Sequence, residues 1–447
     1  MKVTRRIFKA PYSRKVVRKT VKPIAPEQWE FTFNVYFKCR SAVSPRTIAV
    51  SDAFGLGVDE MQTYWVFKDF KVKVTLGDIV YIVGPSGSGK SCLLREFYKS
   101  FKDRCITLED LRFPRDRPLV DALGVDVNEA IRYLSLLGLN DAFLFLRRYD
   151  ELSTGQKYRF RLAKLWEQSD RQGKDILVVD EFCSTLDRES AKIIAFNTQK
   201  LARKTGKTLF LATCNDDLRV DLNPSIYIKK DLWDEVELEH SPNALNTRCS
   251  VNQDIDIVEG TMKEYEGTLG HFHYRGRNPF AKKVFKAVLN GKTVGAIVYV
   301  NAGGVCFGRR HVLNIRGFDY KTINETLARI GRVVVHPRYR SIGLGVRLVR
   351  ETLPQMNLPF IETIAVMAKY NPFFEHAGMR KICEKEPDKE LTGLIKFLGE
   401  LGFIPEFLGS EAYAMNVLGG DPEKMPCIKE RLKRVRDPYL TKKYLLS

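Results

Sequence analysis

The sequence predicts an α/β protein: a parallel sheet wrapped in helices, followed by a second, mixed α+β unit. Three observations predict it. From Tyr64 to about Ile228, apolar strands and helical segments alternate, the pattern of a parallel sheet covered on its faces. At 240–254 the run HSPNALNTRCSVNQD interrupts the alternation and reads as a linker. Beyond it, AVLNGKTVGAIVYV forms a hairpin around Asn290-Gly291, and RVVVHP, GVRLVRETL and FIETIAVM follow as strand, helix and strand.

Taken in order, residues 1–22 carry nine Lys/Arg and no acid, and read as a basic arm that is partly ordered at best. EFTFNVYFKC (30–39) alternates aromatic and polar residues as a half-buried strand does. A further strand is expected at Thr47–Val50. VYIVG (80–84), ILVVDE (176–181) and TLFLATC (208–214) are buried strands; SCLLREFYKSF and KYRFRLAKLW are helices. The tail is loop-rich from Asn416 and then basic, KERLKRVRDPYLTKKY. The expected division is 1–46 (arm and leading strand), 47–240, 255–410 and 411–447 (basic tail); 447 residues suit two or three domains.

Composition narrows the function. With 44% hydrophobic residues the chain suits a packed globular protein. No run of about 18 apolar residues suggests a membrane span, and MKVTRRIFKA lacks the apolar core of a secretory signal. Nine scattered Cys without a CxxC pair fit reduced thiols and a cytoplasmic location. Lys plus Arg number 73 against 54 Asp plus Glu, a net +19, which suits a polyanion such as a nucleic acid.

Gly84-Pro85-Ser86-Gly87-Ser88-Gly89-Lys90-Ser91 satisfies G-x-x-x-x-G-K-[ST] between a strand and a helix. Its glycines let backbone N–H groups close around phosphate oxygens at a helix N-terminus. Lys90 would reach the β/γ-phosphates of a nucleotide and Ser91 would ligate Mg²⁺. ILVVDE delivers two carboxylates to the end of a buried strand, where Asp180 can hold the Mg²⁺ through water and Glu181 can polarise the attacking water. A Gly/Ser turn with a chance lysine would be the ordinary alternative, but the later motifs argue against it. Leu152-Ser153-Thr154-Gly155-Gln156 opens a helix, and Ser184-Thr185-Leu186-Asp187 follows ILVVDE. In these motifs and their order, the segment 47–230 resembles the ABC ATPase family.

The resemblance implies ATP sandwiched head-to-tail in a homodimer, with Ser153 and Gly155 of one protomer facing the γ-phosphate held by the other. It assigns nucleotide contacts to Phe54 (adenine stacking, with Tyr64 as runner-up), Gly84, Ser86, Gly87, Gly89, Lys90, Ser91, Cys92, Gln156, Asp180 and Asp187. LSTGQ differs by one residue from the commoner LSGGQ. The glutamine loop matches only the stretch 111–121, which contains no glutamine. Cys214 stands where the family's switch histidine would be, so slow basal hydrolysis is expected.

In the second half, Val333, Val334 and Val335 end a strand, and Arg340-Ser341-Ile342-Gly343-Leu344-Gly345 leads into an amphipathic helix. R-x-x-G-x-G at a helix N-terminus suits a pyrophosphate. With the later Pro372-Phe373-Phe374-Glu375-His376-Ala377-Gly378-Met379, residues 257–385 resemble the GNAT acetyltransferase family. That implies a mixed sheet splayed at the acyl-CoA site, Val333–Val335 pairing with the pantetheine arm, and the 340–345 loop holding the pyrophosphate of acetyl-CoA. Phe374 fills the position of the family's usual tyrosine acid, and Tyr370 is the nearest substitute. Glu362, His336 and His273 are candidate bases.

The leading expectation is an ATP-dependent, acyl-CoA-using N-acetyltransferase acting on a nucleic acid. Two rivals stand beside it: a protein or small-amine acetyltransferase regulated by ATP, and a non-catalytic nucleic-acid clamp.

Overall fold

The computed structural model describes residues 12–433, apart from 58–59, 233–234, 274–278, 304–305, 307, 314–318, 366–370, 385, 387–388 and 422. Tyr370, residues 1–11 and the tail from 434 therefore lie outside the described residues. The chain divides into two compact units: Met1–Gly304 with Gly317–Met379, and Val305–Arg316 with Arg380–Ser447. The first unit holds three sheets.

Strands β1 (Tyr12–Ala25), β2 (Gln28–Arg40) and β3 (Gln62–Thr75) form an antiparallel sheet in that order. The basic arm is thus a strand from Tyr12 onward, not a loosely ordered segment. Two causes are visible. A tight turn with Glu27 at φ 59° closes the hairpin, and β1 alternates its residues between two faces. On one face Val17 packs against the aromatic core of β2 and β3. On the same face Lys15 Nζ lies 3.3 Å from Glu96 Oε1. Lys19 donates to Ser100 Oγ at 2.7 Å and to Glu96 O at 3.1 Å. The expected strand at Thr47–Val50 is instead part of a helix, Pro45–Phe54. Ser44 and Thr47 form a capping box, Pro45 starts the helix, and Gly55 ends it in the left-handed region. Local capping chemistry outweighs the β-branched residues here.

The central sheet has the order β5-β6-β7-β4-β8-β9, with β4 (Ile79–Val83), β5 (Cys105–Thr107), β6 (Ile176–Val179), β7 (Thr208–Thr213), β8 (Ile226–Lys230) and β9 (Val236–His240). All neighbours run parallel except β8 and β9. β4, β6 and β7 are buried on both faces. Ile79, Tyr81 and Val83 enter a core with the helices Val127–Leu136 and Thr154–Arg171, centred on Tyr133, Phe160 and Trp166. Val80 and Ile82 point the other way, into a core with Phe31, Phe33, Phe67 and Phe97. The β1–β3 sheet therefore forms a third layer over the strands that carry the motifs.

The third sheet has the order β10-β11-β12-β13-β14, with β10 (Asp256–Gly260), β11 (Ala281–Leu289), β12 (Lys292–Asn301), β13 (Leu327–Val335) and β14 (Phe360–Thr363). The β11–β12 turn is Asn290-Gly291, both at positive φ, as two-residue hairpins require. β13 and β14 are parallel and joined through the helix Leu344–Thr352. The sheet and this helix share a core with Ile193 and Phe196 from the helix Arg188–Thr205. The expected linker does not hang free: Cys249 and Val251 join that core, and Ser250 N–H donates to Asp221 Oδ1 at 2.7 Å.

In the second unit, Lys389–Glu400, Glu411–Gly420 and Lys424–Lys433 are helices. The expected loop-rich stretch after Asn416 is thus largely helical through Lys433.

Candidate functional site: a phosphate loop and an engaged second loop

The order of the central sheet assembles the first constellation. β4 lies between β7 and β8, and β6 lies beside β7. The loop after β4, the Asp180-Glu181 pair after β6 and Cys214 after β7 therefore emerge at the carboxyl ends of neighbouring parallel strands, where open α/β sheets bind ligands.

The loop itself demands glycine. A Cβ on Gly84 would lie 1.9 Å from the backbone O of Lys230; one on Gly89, at φ 98°, would lie 2.1 Å from Val66 Cγ1. Gly87 also has positive φ, and Ser86 beside it is exposed. Lys90 is buried and donates to Gly84 O at 2.7 Å, Pro85 O at 2.8 Å and Cys214 Sγ at 3.4 Å. Ser88 Oγ is buried without a hydrogen-bond partner. Sequence reasoning passed over Ser88 because the motif leaves that position open. A buried cation held only by neutral acceptors and an orphaned hydroxyl fit a polyphosphate. Ser91 and Cys92, both half-buried, open the helix Lys90–Ser100. The Ser91 hydroxyl and the Asp180 carboxylate are the groups that would hold Mg²⁺, whose charge offsets that of the phosphates when bound.

Glu181 and Cys183 have φ of 53° and 57°, unusual for residues with side chains. The strain is held from two sides. Phe182 N–H donates to Ala212 O at 2.8 Å, and Cys183 N–H donates to the buried hydroxyl of Tyr158 at 2.8 Å. Tyr158 stands on the helix that Ser153 caps. No sequence signal marked it.

Ser153 Oγ accepts from Gln156 N–H, and Gln156 Oε1 accepts from Ser153 N–H at 3.0 Å. Gly155 faces Leu186 Cδ2 at 3.2 Å and Thr185 O at 3.9 Å, measured from where a Cβ would stand. LSTGQ and STLD therefore touch within one chain. Asp187 caps the helix Arg188–Thr205 through Ser190 N–H.

For the aromatic, Phe54 ends the separate helix Pro45–Phe54 with its ring 76% exposed. β3 is the strand brought against the loop, through Val66 and Phe67. On it, Tyr64 is opposite Phe37 and Trp65 opposite Tyr36, with a bulge at Val66. That register puts Tyr64 on the face that also carries Phe67, the loop side, and favours the runner-up over Phe54.

The second constellation is brought together differently from expectation. β13 pairs with β14 only through Leu327–Ile330. Val333–Val335 pair with Ile297–Gly295 of β12, so among the described residues their other edge carries no strand. The Arg340 side chain does not point to an open site. Its Nε donates to Val335 O at 2.9 Å and its Nη1 to Asn140 O. Ser341 Oγ donates to Ser135 O at 3.0 Å. Ile342 and Leu344 are core residues, and Asn252 donates to Ile342 O at 2.9 Å. Gly343, at φ 87°, caps the helix; Gly345 faces Phe373, whose ring neighbours Phe374 at 4.1 Å.

Of the candidate bases, Glu362 is paired with Arg329 at 2.6 Å and 2.8 Å, so its carboxylate is already engaged by a guanidinium. His336 Nδ1 accepts from Arg338 N–H at 3.3 Å. Burial, then the charges of Arg338, Arg340 and His271, hold its pKa below 6.5, so the ring is neutral at pH 7. His273 is described but its Tyr274 neighbour is not.

No family model matches the chain. Over 241 residues the chain is 26% identical to the ATP-binding cassette sub-family B member 5 of Mus musculus, covering 44% of this chain and 18% of that protein. It is 30% identical over 187 residues to the ATP-dependent permease MDL1 of Candida albicans, covering 32% and 26%. It is 28% identical over 174 residues to the hemin import ATP-binding protein HmuV of Aliivibrio fischeri, covering 31% and 64%. The chain thus spans less than two thirds of the length of each of these relatives. Among solved structures, a dimeric bacterial ABC transporter cassette aligns over 40% of this chain and 92% of its own, at 17% identity and a TM-score of 0.31. An ATP-binding cassette domain of the ABC type occupies about 40% of the chain. No helix among the described residues is long and apolar enough to cross a membrane.

Proposed function

We propose that the chain is an ATP-driven switch. Two cassettes close head-to-tail on ATP, and the closure is passed to the mixed sheet beyond. The observation that carries this reading is Lys90, buried and bonded only to two loop carbonyls and a thiol. ATP would replace those acceptors with phosphate oxygens, a stronger charge-assisted pairing. Ser153 and Gly155, at the start of a helix, would cover the γ-phosphate of the opposite protomer. Glu181 would then orient the attacking water. Titration of the full chain with ATP tests this: saturable binding is expected in the wild type and none in Lys90→Ala.

A second reading concerns the mixed sheet, as an acyl-CoA-dependent N-acetyltransferase. The edge of β13 beyond Ile330, which no described strand covers, supports it, because a sheet edge suits the amides of a pantetheine arm; against it, Val335 O is already held by Arg340. The engaged side chains of Arg340 and Ser341 leave only backbone N–H groups for a pyrophosphate, and neither Glu362 nor Phe374 is a ready acid or base. Of the three expectations, the non-catalytic binding module gains most from these contacts. Equilibrium dialysis with labelled acetyl-CoA separates the two.

For a nucleic-acid partner, support comes from the outer face of the β1–β3 sheet. The register sets Arg14 opposite Lys38, and Glu30 between Lys22 and Lys73. Arg18 and Lys71 share that face, with Asp69 bonded to Asn34. These six cations against two acids, beside the half-exposed Trp65, would suit contacts along a phosphate backbone.

A further inference from the structure

Residues 337–340, which lead into the 340–345 loop, are bound to the cassette. Arg338 Nη2 pairs with Asp187 Oδ1. Arg338 Nε donates to Ser190 Oγ at 3.1 Å, and Nη1 lies 3.4 Å from Glu189 Oε2. Tyr339 OH donates to Glu189 Oε2 at 2.7 Å. Asn140 Nδ2 donates to Pro337 O at 3.2 Å while its own carbonyl receives Arg340.

Asp187 is not an arbitrary anchor. It closes the Ser184–Asp187 segment and caps the helix Arg188–Thr205, so one carboxylate joins that segment to the mixed sheet. Ahead of it, Leu186 and Thr185 touch Gly155, and Cys183 and Glu181 carry the strained backbone. Behind it, Ile193 and Phe196 of the same helix enter the core of the mixed sheet. Arg159, on the helix of Gly155, donates to Gly155 O and Gly138 O, and feels the charges of both Asp187 and Arg338.

We infer that Arg338 is a positioning residue for ATP hydrolysis: by clamping Asp187 it sets the course of the backbone from Glu181 to Asp187, which packs on Gly155, and so makes turnover depend on the mixed sheet. Arg338 touches none of the P-loop residues, so it acts on the rate and not on nucleotide capture. This rests on the cassette reading above.

The test is steady-state ATP hydrolysis by the full chain with Arg338→Ala, Arg338→Lys, Asp187→Ala and the Arg338→Ala/Asp187→Ala double variant, each checked for an unchanged thermal transition. Arg338→Ala is expected to lower kcat about tenfold with KM for ATP within about twofold, the size of a network contact. Arg338→Lys, which keeps the charge but not the fork, is expected to recover part of the loss. In the double variant the second substitution adds little. An active wild type with kcat unchanged in Arg338→Ala, or losses that multiply independently, would overturn the inference and leave the cassette reading intact. A wild type that neither binds nor hydrolyses ATP overturns both. If Arg338→Ala does not fold, Arg338→Lys and Tyr339→Phe, which keep the packing, carry the same comparison.

Discussion

Lys90 is satisfied by its own loop, and this sets the terms on which ATP enters. Lys90 is already buried, so exchanging two carbonyls for phosphate oxygens adds no desolvation of the lysine, whereas Lys90→Ala leaves the phosphates without that cation. Its affinity for ATP is expected to fall at least about 100-fold by calorimetric titration. Gly84→Ala is expected to be worse for the fold, because a Cβ 1.9 Å from Lys230 O has no flexible neighbour to displace; a loss of about 1–3 kcal/mol in urea unfolding is the expected outcome. His336 supplies a pH test. Its folded pKa lies below 6.5, so between 6.5 and that lower value the unfolded chain holds a proton that the folded chain does not. Stability therefore falls as pH drops through this window. The thermal midpoint is expected to decline from pH 7 to about pH 5.5, and to decline less in His336→Asn. At this scale the motif residues were legible because phosphate chemistry prescribes them. Ser88 and Tyr158 were not, since their roles depend on burial and on a partner 25 residues away.

Elements were read well where periodicity is strong, as in β4, β6, β7 and the Asn290-Gly291 hairpin. β1 was not read as a strand because nine cations in residues 1–22 suggested solvation; the five that fall on β1, Arg14, Lys15, Arg18, Lys19 and Lys22, are shared between its two faces. One of those faces depends on Glu96, which is buried and meets Lys15, Lys19 and Lys99 at 3.3, 3.9 and 3.0 Å. Burial raises the carboxyl pKa, but the bonds from Lys99 and Lys15 outweigh it and the net direction is downward. Its contribution is therefore present above the ordinary carboxylate range and lost as pH falls through the folded value. Glu96→Gln is expected to destabilise the cassette by about 1–3 kcal/mol at pH 7, read by urea unfolding, and by less at pH 3. The Thr47–Val50 segment shows the converse error: a capping box at Ser44 decides for helix over residues whose side chains favour strand.

Across the whole molecule, the sequence separates a cassette from a second sheet, and both are found, but their connection was invisible to it. R-x-x-G-x-G reads as a ligand loop from spacing alone; only the fold reveals that Arg338, Tyr339 and Arg340 already have partners near Asp187 and Asn140. Such contacts are long-range, and no periodicity or local composition encodes them. The central claim is that the cassette closes on ATP as a dimer. Multi-angle light scattering of Glu181→Gln with MgATP tests it most directly, because that substitution leaves the phosphate loop unchanged and removes the carboxylate proposed to orient the attacking water. The account predicts a mass twice the 51.3 kDa of the chain with MgATP and a single chain without it; a protein that remains at 51.3 kDa with saturating MgATP would contradict it.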